Sequence, residues 1–387
     1  MRNHVMLYRL QRNLSKSNRN DTASHDPSDF MWMKYTIKLF SVENSTRFTG
    51  GTGSDGRSPP QDARNGKVQV QVNGGIPFPC NITGTRSPIR PISVHRLRPG
   101  DIDVIGAMGD SASAGYGAIA STIFQAAIEN RGVSWSGGGQ DTWREFLTLP
   151  NILKEFNPNL IGYAWSDAFT SEKKSQFNVA EGGAMSRDLP FMAEILVKRI
   201  KNDARVDLKN HWKMITLMIG GNDFCSDMCY RSSLFLALDN HRKDLIQALI
   251  IIRDNLPRTL VSVVPYPAGS SVNLAISLIF KHLVPGNHSV SLISPNSFLL
   301  RKYFVSHYFV SFVLRWKKLE EDVVSMSEFQ RESFAVVFQP FTVNAMIPNL
   351  FNGSIDWSYF STDCFHFSQK GHARCNFKRR TNCLFFS

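Results

Sequence analysis

Ser111, in the run Gly109-Asp110-Ser111, and His366, in Asp363-Cys364-Phe365-His366, have the side-chain types for nucleophilic ester hydrolysis. A serine hydroxyl becomes a useful nucleophile when a base takes its proton. An imidazole does this best when a carboxylate holds one ring nitrogen and leaves the other free. The spacing of Asp363 and His366 brings both side chains to one side of a turn, so the carboxylate can serve as orienter. His372 is a competing base, but it has no carboxylate three residues before it and ranks below His366. Two more stretches carry donors for a developing oxyanion. Asn222, in Gly220-Gly221-Asn222-Asp223, offers a side-chain amide, and Gly182 and Gly183, in the loop that follows Asn178 and Ala180, offer a glycine N–H with no side chain in the way. The Ser111 N–H is the third donor. Gly109 permits a tight turn, and Asp110 and Asp223 are read as supporting the loops rather than reacting. Each motif alone is ordinary turn or capping chemistry; the case rests on all of them occurring in one chain. Ser111 does not sit in a Gly-x-Ser-x-Gly elbow, because position 113 is serine.

Such residues need rigid elements beneath them, and the pattern supplies these. Short apolar runs at Asp103–Ala107, Leu160–Trp165, Met214–Ile219, Thr259–Val264 and Phe334–Phe338 end at glycine, proline or polar turns. Runs of this length read as strands of a parallel sheet covered on both faces. Met192, Ile195, Leu196 and Ile200 recur at helical spacing, as do Leu245, Ala248, Leu249 and Ile252. Strands alternating with helices imply a doubly wound α/β fold, in which ligands bind beyond the carboxyl ends of the strands. Gly109-Asp110-Ser111 and Gly220–Asp223 fall at such ends.

The chain has 387 residues, 42% of them hydrophobic and 20% charged, as in ordinary globular proteins. Residues 1–75 are rich in Ser, Asn, Gly, Asp and Arg without periodicity and read as a disordered segment, with the folded domain spanning 76–387. The formal net charge of +12 would suit an anionic partner such as a phospholipid surface, but the basic residues are scattered outside the termini. No nucleic-acid motif with interleaved aromatics is present. Of the six cysteines (Cys80, Cys225, Cys229, Cys364, Cys375, Cys383), Cys225 and Cys229 have the spacing of half a metal knuckle, but no second pair completes it. A disulfide between Cys225 and Cys229, or from one of them to another Cys, is the reading if the protein is secreted, and the Asn-x-Ser/Thr triplets at Asn81, Asn287 and Asn352 lean toward that route. No signal peptide is legible in Met1–Asn20. The apolar run Tyr303–Leu314 is shorter than the roughly 20 residues needed to span a bilayer.

Taken together the motifs resemble the GDSL (SGNH) hydrolase family: Ser111 matches the block I serine, Gly183 the block II glycine, Asn222 the block III asparagine and His366 the block V histidine. Within that family the chain is most similar to the phospholipase B group, on the stretches Arg96–Asp101, Arg131–Gly139, Leu149–Leu153 and Asp363–Ser368. The likeness covers about Phe78–Val264 and Phe334–His372. It implies a flavodoxin-like, five-stranded SGNH fold and hydrolysis of acyl esters of glycerophospholipids and lysophospholipids through a serine acyl-enzyme. It implies no metal or cofactor, a membrane or micelle surface as partner, and a secreted or membrane-associated setting. Residues 268–314 read as a divergent insert and 375–387 as an atypical C-terminal end. The alternatives are an esterase acting on other small or carbohydrate esters, and an inactive lipid-binding relative.

Overall fold

The computed structural model describes residues 66–224, 234–266, 311–342 and 347–374. Residues 1–65, the Cys225/Cys229 pair, the Asn287 triplet, residues 268–310 of the divergent insert and residues 375–387 lie outside the described residues. Among the described residues a five-stranded sheet runs β1 (Ile102–Gly109), β2 (Trp212–Met218), β3 (Thr259–Val263), β5 (Phe334–Phe338) and β4 (Gln330–Arg331) across its width. The first four in that order pair in parallel, and the two-residue β4 joins antiparallel to β5. Every residue of β1, β2 and β3 is buried, which is why their sequences read as continuous apolar runs instead of alternating ones.

Helices cover both faces, as the doubly wound pattern requires. On one face α3 (Leu189–Lys201) and α4 (Leu234–Asn255) lie over the sheet. Leu189, Met192, Leu196, Leu245, Leu249 and Ile252 form a core there with Val104, Ile215, Leu217, Val261 and Val336. A further helix, α5 (residues 311–324), adds Val323 and Val324 to this core. On the other face α2 (Leu149–Phe156) sets Leu149 and Leu153 against Ile102, Ile105, Trp212, Met214 and Leu260. Each such side chain, fully buried, contributes about 1.5–3 kcal/mol. Thr148 caps α2 by accepting the Asn151 N–H at 3.2 Å, and Pro150 occupies its first turn, where a missing N–H costs nothing.

Two details depart from the sequence reading. Leu160–Trp165 lies beside β1 but makes only isolated parallel bridges, Val104 with Ile161 and Ala164 with Gly138. Gly162 has φ 103°, and a Cβ there would stand 2.3 Å from the Ile105 carbonyl oxygen, so the segment bends where a strand would continue. The fifth strand is instead the short β4. The second departure is the boundary at Ile76: residues 66–75 are already tied to the fold. The Val72 N–H donates to Arg144 O at 3.0 Å, and Val68 and Val72 pack against buried apolar clusters.

Candidate active site

The site forms at the carboxyl ends of β1 and β2. β1 stops at Gly109, at φ 149°, where a Cβ would stand 2.3 Å from the Met218 carbonyl oxygen, so no side chain fits. The chain then turns into the one-turn helix α1 (Ser111–Ala114). Asp110 is its N-cap and accepts the Ala112 N–H at 2.9 Å. Burial pushes the Asp110 carboxyl up to about 6, against the pull of the Ala112 amide and the His366 charge. Its Oδ2 is buried with no hydrogen-bond partner among the described residues. The side chain caps the turn into α1.

Ser111 follows, 6% exposed, with its Oγ 2.8 Å from His366 Nε2. His366 Nδ1 lies 2.6 Å from Asp363 Oδ2, and Asp363 Oδ1 accepts the backbone N–H groups of Phe365 and His366, each at 3.0 Å. Burial alone would raise the Asp363 carboxyl. The His366 side-chain bond and charge, with the two amides, outweigh it and hold the group below the ordinary carboxylate range. An ionised Asp363 only accepts, so it fixes the proton of His366 on Nδ1 and leaves Nε2 to take the serine proton. The turn itself is closed by Ser361 N–H to His366 O at 2.7 Å and Cys364 N–H to Ser361 O at 3.1 Å, with Cys364 at φ 57°. His372, the competing base, is elsewhere engaged. It is buried, accepts the Trp135 N–H on Nδ1 at 3.3 Å, and is pushed down to about 3 by burial.

The expected oxyanion donors are carried by two loops knitted to the same end of the sheet. Residues 177–181 run beside β1, with Val179 N–H to Ala107 O at 2.9 Å and Glu181 N–H to Gly109 O at 3.0 Å. Gly183, at φ 73°, turns the chain immediately beyond them. Among the described residues its N–H and that of Ser111 donate to no protein acceptor. Asn222 follows β2 and donates from Nδ2 to Ala184 O at 2.9 Å, which uses one of its two amide hydrogens. Asp223 accepts the Ser186 N–H on both oxygens, at 3.2 and 3.1 Å, locking the Gly183 loop to the Asn222 loop.

Two features were not legible in the sequence. The Tyr116 ring lies 5.6 Å from the His366 ring between centroids, and its hydroxyl donates to Glu129 Oε1 at 3.2 Å. A Cβ on Gly182 would stand 2.2 Å from that hydroxyl, so Tyr116 fills the space between base and glycine loop. Glu129 in turn pairs with the fully buried Arg131, whose guanidinium also holds the backbone and side-chain oxygens of Asn178. The second is a buried cluster behind the donor loops. Ser186 Oγ lies 2.8 Å from His241 Nδ1, and His241 stacks on Trp316 with centroids 3.8 Å apart. No periodicity marks these residues, because their roles exist only once distant elements meet.

Residues 105–376 match the family described as GDSL-like Lipase/Acylhydrolase. The chain is 37% identical over 305 residues to the membrane-associated phospholipase B1 of Homo sapiens, a match covering 78% of this chain and 20% of that protein. It is 36% identical over 320 residues to its counterpart in Mus musculus, covering 79% and 21%. The chain therefore spans about a fifth of the length of the curated relatives it matches. Among solved structures, an extracellular lipase from Streptomyces rimosus aligns over 72% of this chain and 98% of its own, at 15% identity and a TM-score of 0.32.

Proposed function

Because this chain belongs to the GDSL-like lipase/acylhydrolase family, we propose that it hydrolyses acyl esters of glycerophospholipids and lysophospholipids through a serine acyl-enzyme. The observation that carries this reading is the continuous relay from Asp363 through His366 to Ser111, at 2.6 and 2.8 Å. Ser111 Oγ attacks the ester carbonyl carbon while His366 Nε2 takes its proton. The negative charge that develops on the carbonyl oxygen is received by the N–H groups of Ser111 and Gly183 and by the Asn222 side chain. Asp363 stabilises the imidazolium. His366 then protonates the departing alcohol, leaving an acyl group on Ser111. Water, deprotonated by His366, attacks that acyl carbon and releases the fatty acid and the free serine.

A lipid substrate is supported by the apolar residues around the site. Phe365 precedes the base directly and is 38% exposed. Thr362 Oγ1 donates to Thr122 O at 2.9 Å, which brings the base turn beside Ile123 and Phe124, 57% and 81% exposed. Aromatic and branched side chains on adjoining turns are suited to a membrane or micelle surface. A secreted or membrane-associated setting agrees with the membrane association of the relatives and with Cys80, which lies in a disulfide. No helix among the described residues is long and apolar enough to cross a membrane.

The test is turnover of lysophosphatidylcholine, diacyl phosphatidylcholine, a short-chain nitrophenyl ester and an acetylated sugar by the intact protein and by Ser111→Ala, with fluorophosphonate labelling of Ser111. Lipid turnover that disappears in Ser111→Ala is the expected result. Faster turnover of the acetylated sugar would transfer the assignment to a carbohydrate esterase, and a folded protein that neither labels nor turns over lipid would be a lipid-binding relative.

A further inference from the structure

We propose that Lys67 is a positioning residue for the acid–base pair, and that residues 67–72 form a strap holding the Asp363–His366 turn against Ser111. The inference rests on the serine-esterase reading above and concerns a segment that precedes the stretch 105–376 matching the family.

Lys67 reaches the turn from both flanks. Its Nζ donates to the carbonyl oxygens of Phe360 at 2.8 Å and Ser361 at 3.0 Å, on the entry side. Its own carbonyl accepts the Lys370 N–H at 2.9 Å, on the exit side. Ser361 is the pivot of the turn. Its N–H donates to His366 O at 2.7 Å, its carbonyl accepts from Cys364, and its hydroxyl donates to Gly117 O at 2.6 Å, in the loop just after the nucleophile helix. One ammonium thus holds the carbonyl of the residue whose hydroxyl joins the base turn to the nucleophile loop. Burial lowers the Lys67 pKa, and the neighbouring Cys364 and Asp363 act in the opposite direction to retain its proton.

The rest of the strap is anchored firmly enough for Lys67 to bear on the turn. Gln69 N–H donates to Gln369 Oε1 at 2.7 Å, and Gln369 Nε2 donates back to Gln69 Oε1 at 3.0 Å. Gln69 Oε1 also accepts the Leu147 N–H at 2.7 Å. Val68 packs with Ala118, Val133 and Phe146, and Val72 with Trp143, Leu147 and Ala373. The strap therefore bridges the helix that follows His366 and the loop at 142–147. A loosened turn would let His366 drift from Ser111, and an error of about 1 Å in such a pair costs up to about a hundredfold in rate.

The experiment measures kcat, KM, fluorophosphonate labelling rate and Tm for the full-length chain and for Lys67→Met and Lys67→Arg. Lys67→Met is expected to lower kcat and the labelling rate about ten- to a hundredfold with KM within about twofold of wild type. Lys67→Arg, whose guanidinium can still donate to both carbonyls, is expected to stay within about threefold of wild type. A role confined to stability would move Tm and leave kcat unchanged well below Tm. Wild-type kcat in Lys67→Met, or a loss in Lys67→Arg equal to that in Lys67→Met, overturns the inference. Should Lys67→Met fail to fold, Lys67→Gln, which keeps a donor without charge, takes its place under the same criteria. A wild-type protein that neither labels nor turns over any ester removes the functional reading and this inference together. An active wild type with an equally active Lys67→Met removes this inference alone.

Discussion

Replacing Asp363 by asparagine exchanges one carboxylate oxygen for an NH₂ group and is expected to be more damaging than deleting the side chain. In the native turn Oδ1 accepts two backbone N–H groups, from Phe365 and His366, at 3.0 Å each. Only an oxygen can do this, so the asparagine carbonyl must take the Oδ1 position and its NH₂ must face His366 Nδ1, across the 2.6 Å gap seen for the carboxylate. That arrangement forces Nδ1 to accept and puts the proton on Nε2, where the base must be empty to receive the proton of Ser111. Restoring the productive tautomer requires the amide to flip, which abandons two hydrogen bonds at about 1 kcal/mol each. Loss of the charge-assisted bond to the developing imidazolium adds about 2–3 kcal/mol. The sum, about 4–5 kcal/mol, corresponds to a fall in kcat of about 10³–10⁴. Asp363→Ala loses the charged partner but leaves both tautomers open, so its kcat should fall by only about 10²-fold. Steady-state turnover of a soluble nitrophenyl ester, with circular dichroism to confirm folding, ranks the three proteins. An Asp363→Asn variant that keeps a tenth of wild-type kcat, or exceeds Asp363→Ala, would refute the assignment of Asp363 as the orienter of His366.

Three further outcomes concern stability. Asp110 titrates near 6 in the fold, above its ordinary value of 3.8, so the folded state binds the proton more tightly than the unfolded chain. Its ionisation lowers stability as pH rises from about 4 through 6, by up to about 3 kcal/mol. Asp110→Asn, which preserves the cap, should therefore gain Tm relative to wild type at pH 8 compared with pH 5. A Tm difference that does not vary across that range would show that Asp110 is not a buried, destabilising charge. His372 is held neutral, with its value down near 3, so the unfolded chain gains protons first as pH falls below 6.5. This group costs about 1.4 kcal/mol by pH 5.5. His372→Asn, which can still accept the Trp135 N–H, should flatten the acid side of the stability profile measured by denaturant titration; an unchanged acid slope would count against it. Finally, Gly109→Ala sets a Cβ 2.3 Å from the Met218 carbonyl oxygen at a φ of 149°. It should lose about 2–4 kcal/mol in a urea titration, and a loss under about 1 kcal/mol would mean that the β1 turn is looser than described.

The elements that can be read from local pattern are the ones the sequence discloses. β1, β2, β3 and β5 are fully or largely buried, so their apolar runs stand out against polar turns. α3 and α4 bury one stripe, so their helical spacing survives in the sequence. Ser111, Asp363 and His366 are legible because the chemistry demands those residue types, and the fold brings them within hydrogen-bond reach. Leu160–Trp165 is apolar enough to read as a strand, but the φ of Gly162 is a backbone property that the run of side chains conceals. The strap carried a signal that its polar surroundings hid. Val68, Val70 and Val72 alternate with polar residues as in a strand, yet Val70 is left 79% exposed, so the alternation does not report burial. Tyr116 and His241 owe their roles wholly to tertiary neighbours.

Ser111 and His366 are separated by 255 positions along the chain. At ribosomal speeds of about 5–20 residues per second, a growing polypeptide carries Ser111 for roughly 13–50 s before His366 is added. Throughout that interval the hydroxyl lacks the imidazole that the folded site sets 2.8 Å from it, so the acid–base step proposed above cannot run and the emerging chain is silent as an esterase. A protease cutting anywhere between the two, with release of the distal piece, would return the molecule to that silent state without touching the serine.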